Sequence, residues 1–194
     1  MKQLVARAGH EVDSIDIKPK EVSIKEPEFM HICYPYQDNE SFIDATLDYI
    51  DRFSPQIMII ESTVAPYTTK SVCERRGGAS IAYSPVLGRE ADGMVESMLQ
   101  YTKYVSSYKP GVAERVAEYY QTLGFKVKVA GRPHDLELAK LLETTYYGLM
   151  IAFWQEVRRM CRADDVDFDL VQEFIGRITR ESGGKHMRPI FCLL

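Results

Sequence analysis

The sequence predicts an α/β protein: a Rossmann-like, mostly parallel sheet, then a long central helix and a small helical region. Three observations carry this. Apolar runs of strand length alternate with stretches of helical period from Phe29 to Gly131, the pattern of a parallel sheet covered on both faces. The run QIMIIEST, Gln56–Thr63, is the strongest strand signal, with four consecutive apolar residues, Ile57–Ile60, as in a strand buried on both sides. From His134 to about Asp164 there is no proline and one glycine, Gly148. Over that stretch Leu138, Leu142, Tyr146, Leu149, Phe153, Val157 and Met160 recur every three or four residues, and Leu141, Thr145, Gly148 and Ala152 form a second strip. About 30 residues at ~1.5 Å each reach ~45 Å, longer than a small domain is wide. The helix is therefore expected to join a domain at 1–133 to a helical region at 134–194, and to lie buried between two bodies.

The remaining elements follow in order. Met1–Ala8 reads as the tail of a helix closed by Gly9. EVDSIDI places Val12, Ile15 and Ile17 in alternation, a short strand with Asp16 near its carboxyl end. Glu21–Glu28 is charged and loop-like, and Phe29–Pro35 is a buried-type strand. Phe42, Ile43, Leu47, Ile50 and Phe53 share one face of a helix over 39–53, with Asn39 as its cap. After Gln56–Thr63, Pro66 opens a helix to Arg76, which Gly77-Gly78 ends. Strands are expected at Ala79–Val86, Thr102–Tyr108 and Phe125–Gly131, and helices at Arg89–Gln100 and Pro110–Leu123. Past the long helix, Asp167 caps a helix to Ile178, and the segment ESGGKHMRPIFCLL reads as irregular.

Composition narrows the function. With 45% hydrophobic and 27% charged residues over 194, the chain has an ordinary globular composition. Lys and Arg number 24 against 28 Asp and Glu, a net −4 that gives no electrostatic hold on nucleic acid. There is no apolar run of membrane-spanning length, and MKQLVARAGHEVD lacks the apolar core of a secretory leader. The four cysteines, Cys33, Cys73, Cys161 and Cys192, form no CxxC pair. A reducing cytoplasm is expected, without a zinc or disulfide framework. The four histidines lie far apart, so no metal site is expected.

Parallel sheets bind ligands outside the carboxyl ends of their strands. Those ends here are IDIKPK, CYPYQD, ESTVAP and YSPVLG. Lys140 stands apart on the long helix, between Ala139 and Leu141, with Thr144 one turn on. Its plain reading is a stem laid on apolar surface with the ammonium in water.

Several segments together resemble the UDP-glucose/GDP-mannose dehydrogenase family. IESTVAPYTT is similar to that family's Ser-Thr-Val-x-Pro-Gly-Thr-Thr turn. ARAGHEVDSIDIKP resembles its passage from first helix to second strand, and ELAKLLETTYYGLMIAFWQEVRRMC its long central helix. The resemblance implies oxidation of the C6 alcohol of a UDP- or GDP-sugar to a carboxylate, with NAD as cofactor and a homodimer built on the central helix. By the same resemblance Asp16 holds the adenosine ribose, and Tyr34-Pro35 stands where a Thr-Pro pair lines the cofactor cleft. Ser62 and Thr63 lie near the nicotinamide and the reacting carbon, Lys140 steadies the oxyanion, and Thr144 replaces an asparagine beside it.

Departures accompany the likeness. The sequence has no Gly-x-Gly-x-x-Gly, and only fifteen residues precede Asp16, too few for the strand and phosphate-cradling turn. Tyr67 stands for a glycine, Val86 for an acid, and Gln155 for the asparagine of an Asn-Glu pair. Gly183-Gly184 leads to His186 rather than a nucleophilic cysteine, and Cys192 reads as an incidental apolar-site thiol. The expectation is a shortened family member with little or no activity as this chain. The alternative is an inactive homologue serving as a dimeric binding or assembly module.

Overall fold

The computed structural model describes residues 1–15, 22–88 and 93–181. Asp16, Cys192 and the Gly183-Gly184 pair fall outside them. In chain order the elements are α1 (Lys2–Arg7), β1 (Phe29–Ile32), α2 (Asn39–Phe53), β2 (Ile57–Ile60), α3 (Thr68–Arg75), β3 (Ile81–Tyr83), α4 (Met94–Gln100), β4 (Lys103–Ser107), α5 (Val112–Thr122), β5 (Val127–Val129), α6 (Pro133–Ala163) and α7 (Phe168–Glu181). The chain divides into two compact units, Met1–Glu143 and Thr144–Leu194, and the division falls inside α6.

In the first unit the five strands form one sheet in the order β1-β2-β3-β4-β5. β1, β2 and β3 run parallel, β3 and β4 antiparallel, and β4 and β5 parallel. Alternation along the strands sends side chains to two cores. Ile57, Ile59, Ala82 and Val105 face Leu4 and Val5 of α1, Met98 of α4 and the apolar stripe of α5. Met58, Ile60, Ile81 and Tyr83 face Phe42, Ile43 and Ile50 of α2 and Val72 of α3. This is the expected α/β architecture, and the wholly buried run Ile57–Ile60 is its centre.

Three expectations change. The described part of the strand expected at Glu11–Ile17, residues 11–15, takes no strand conformation. Its polar groups go elsewhere: Asp13 accepts the Ser23 N–H and hydroxyl, both at 2.7 Å, a side-chain alternative to a ladder. The cap of α2 is Asp38 rather than Asn39; its carboxylate accepts the Ser41 N–H at 2.9 Å. Asn39 instead accepts the Thr68 hydroxyl at 3.0 Å. Finally, α6 is not enclosed by the described residues: Tyr147, Leu149, Phe153 and Met160 are all exposed.

The second unit is the remainder of α6 with α7. Phe168 and Trp154 meet edge to face at 6.2 Å, and Asp167 caps α7 by accepting the Asp169 N–H at 2.9 Å. None of α7 is buried, although Leu170 and Phe174 lie on it.

Replacing Asp38 by alanine should lower stability through loss of the cap, read as a fall in the urea midpoint with an unchanged slope. Ser41→Ala, which keeps the N–H, should cost less.

Candidate functional site

The carboxyl ends of β1, β2 and β3 share one edge of the sheet. Because β4 runs backwards, its first residue, Lys103, arrives at the same edge. Nothing in the alternation of apolar runs signals that reversal.

A buried polar cluster follows. Glu61, directly after β2, is fully enclosed. It accepts the Tyr120 hydroxyl at 2.6 Å and pairs with His31 Nδ1 at 2.7 Å. His31 Nε2 meets the Tyr119 hydroxyl at 3.0 Å. Lys103 Nζ lies 3.8 Å from Glu61 and donates to the carbonyls of Ser84 and Pro85 at 3.0 and 3.2 Å, capping the end of β3. Burial alone would raise the Glu61 pKa, but the Lys103 charge and the bonds from His31 and Tyr120 hold it down to about 2. Burial pulls the Lys103 pKa below its ordinary value, with Glu61 opposing. The cluster holds β1, β2, β4 and α5 in place under the loops at the edge.

On that base stand the expected site residues. The Ser62 hydroxyl donates to the Tyr34 carbonyl at 2.6 Å, so the two loop segments are joined. The Tyr34 ring turns towards α2: it packs on Phe42 and its hydroxyl meets Thr46 Oγ1 at 2.6 Å. Pro35 is exposed and Thr63 half-buried. Val86 packs against the core on the α5 side and carries no acid. Lys140 pairs with Glu143 at 2.8 Å, and its side chain is 14% exposed. Thr144 is an exposed residue of the second unit.

Glu137, one turn before Lys140, escaped the reading of the sequence. Its side chain is fully buried. It accepts the N–H groups of Tyr67 at 2.6 Å and Thr69 at 2.9 Å, and the Thr69 hydroxyl at 2.6 Å. These are the unsatisfied donors at the start of α3. Burial raises the Glu137 pKa, against the lowering effect of those bonds. Tyr67 takes the left-handed conformation, φ +72°, unusual for a bulky residue. Its ring stacks on His134 at 4.6 Å, and the Tyr108 hydroxyl meets His134 Nδ1 at 2.6 Å. A charged residue in an apolar helix reads as solvated unless its distant donors are known.

A dinucleotide needs donors for its pyrophosphate. The N-termini of α2 and α3, which follow β1 and β2 at the ligand edge, are already taken by the carboxylates of Asp38 and Glu137. Both would repel a phosphate, so the described residues do not fit that part of NAD. Nor do Cys33 and Cys73, among the described residues, offer a nucleophile at this edge. The Cys33 sulfur is turned inward toward Glu61, and this shielding and the carboxylate push its pKa up to about 12; burial raises Cys73 to about 11.

The fold has clear counterparts. The UDP-N-acetyl-D-mannosamine dehydrogenase of Pyrococcus horikoshii superposes with a TM-score of 0.67 at 17% identity, over 77% of this chain and 40% of that one. The UDP-glucose dehydrogenase of Pyrobaculum islandicum gives 0.66 at 22%, over 79% and 39%. The UDP-N-acetyl-mannosamine dehydrogenase of Staphylococcus aureus gives 0.60 at 23%, over 81% and 43%. This chain has the fold of the nucleotide-sugar dehydrogenases. It spans about two fifths of the length of those three enzymes. No protein-family model matches it. Among the described residues no helix is long and apolar enough to cross a membrane.

Lys103→Met should cost about 3–5 kcal/mol, because it strands the Glu61 charge in the core, and Glu61→Gln/Lys103→Met should regain most of it in urea titration. The acid limb follows from the depressed Glu61 pKa. Its stabilisation is complete above the ordinary carboxylate value of 4.5 and is lost as pH falls from there towards about 2. The double variant should show a shallower loss over that range.

Proposed function

We propose that this chain is a member of the NAD-dependent nucleotide-sugar 6-dehydrogenase family, and that by itself it turns over little or no substrate. The fold supports the family, since several of its counterparts are dehydrogenases of UDP- or GDP-sugars. Fold alone does not assign function, so the observation that carries the reading is local. The Ser62-Thr63 turn is joined to Tyr34 and followed by a loop on which α6 is anchored one turn before Lys140. A lysine held there can stabilise negative charge developing on a sugar oxygen. Thr63 supplies a hydroxyl to the same chemistry in this reading. Low activity follows from Val86 in place of an acid, from the carboxylate-filled helix N-termini, and from the high thiol pKa values. A cytoplasmic location belongs to the same proposal.

Calorimetry with UDP-glucose, UDP-N-acetyl-mannosamine and GDP-mannose should show binding of at least one, with no steady NADH absorbance when NAD is added. Steady NADH production would refute the inactivity. No heat with any of the three would refute a retained sugar site and leave the inactive assembly module as the reading.

That module has an observation of its own. In the second unit Leu170 and Phe174 are 63% and 65% exposed, and Leu149 of α6 is 64% exposed. A groove of about 520 Å³ lies between Tyr147, Met150, Ile151, Trp154 and Phe168. Exposed apolar surface on this scale marks an association face, and we propose a homodimer through α6 and α7. Sedimentation should show a dimer that Phe174→Glu converts to monomer; a wild-type monomer would contradict it.

A further inference from the structure

We infer that Glu137 is a positioning residue: its hold on the start of α3 fixes where α6 carries Lys140 relative to the Ser62-Thr63 turn. The inference rests on the reading of Lys140 as a group facing a nucleotide sugar.

The geometry is a two-point anchor. His134, Glu137 and Lys140 follow one another at intervals of three on α6, each ~4.5 Å further along the axis and turned by about 60°. His134 is wedged by its stack on Tyr67 and its bond to the Tyr108 hydroxyl. Glu137 is fixed by three hydrogen bonds to Tyr67 and Thr69. Tyr67 lies only four residues beyond Thr63, with buried Val64 between them. The same short loop therefore carries the turn and receives the helix. A slip of α6 by one turn would move Lys140 by ~5.4 Å, and it would tear a buried carboxylate from all of its donors. The left-handed Tyr67 fits this role, since that conformation turns its N–H to Glu137 and its ring to His134. Leu136 adds an apolar contact to the α2–α3 core.

The carboxylate is needed in full. Oε1 serves both donors of Thr69, and Oε2 serves Tyr67. A glutamine can keep the Thr69 pair through its carbonyl, but it would face the Tyr67 N–H with an N–H of its own.

The test follows Lys140 directly. Lysines of the intact chain are methylated with ¹³C-formaldehyde, the Lys140 resonance is assigned with Lys140→Arg, and UDP-glucose is titrated. Wild type should show a shift of the Lys140 signal on saturation. Glu137→Gln should keep its circular dichroism but lose most of that shift, and Glu137→Ala should lose all of it. Leu138→Ala, on the exposed neighbouring position, should retain it. If Glu137→Ala does not fold, Glu137→Gln and Thr69→Val decide, both with a reduced shift. An equal shift in wild type and Glu137→Gln overturns the inference alone. A wild-type signal that ignores UDP-glucose, and equally UDP-N-acetyl-mannosamine and GDP-mannose, overturns the reading of Lys140 and the inference with it.

Discussion

The contact on which the first unit's ligand edge depends is one carboxylate meeting one helix start. Glu137 is wholly withdrawn from water and answered by three donors. A buried charge is tolerable only when paired or fully hydrogen-bonded, so this contact cannot be loosened by degrees. It also serves both partners. The start of α3 gains an acceptor for donors its own helix cannot satisfy, and α6 gains a fixed origin for everything counted along it. The stack of Tyr67 on His134 uses the same two segments, which restricts the approach further.

Beneath it lies a second withdrawn charge, Glu61, held from four directions by His31, Tyr120, Lys103 and, more distantly, Cys33. The two carboxylates differ in what opposes burial. Glu61 has a cation close by, so its pKa is depressed; Glu137 has neutral donors, so burial prevails and its pKa is raised. Together they tie the segments after β1 and β2 to the sheet and to α6 through buried hydrogen bonds. The carboxylates at the α2 and α3 starts leave a pyrophosphate poorly served.

Much of the architecture was legible. The apolar run at Ile57–Ile60 has no other stable home than the middle of a sheet, and the uninterrupted period from 134 to 163 admits only a long helix. The joining of Tyr34 to Ser62 follows from parallel neighbours whose ends must lie together. What could not be read depends on partners far away in the chain. Asp13 abandons a strand for Ser23, Asp38 rather than Asn39 finds the α2 start, and β4 runs antiparallel to β3. Lys103 and Glu61 are separated by 42 positions, and no spacing rule announces their pairing. Glu137 looks like one more solvated acid on a helix until the Tyr67 and Thr69 donors are placed beside it.

Amide hydrogen exchange at Tyr67 and Thr69, followed by NMR on the intact chain, tests this dependence most directly. If Glu137 closes the edge as described, both amides exchange as slowly as those of Met58 and Ile60 in the central strand. Exchange at the rate of exposed loop amides, with the sheet still protected, would contradict it.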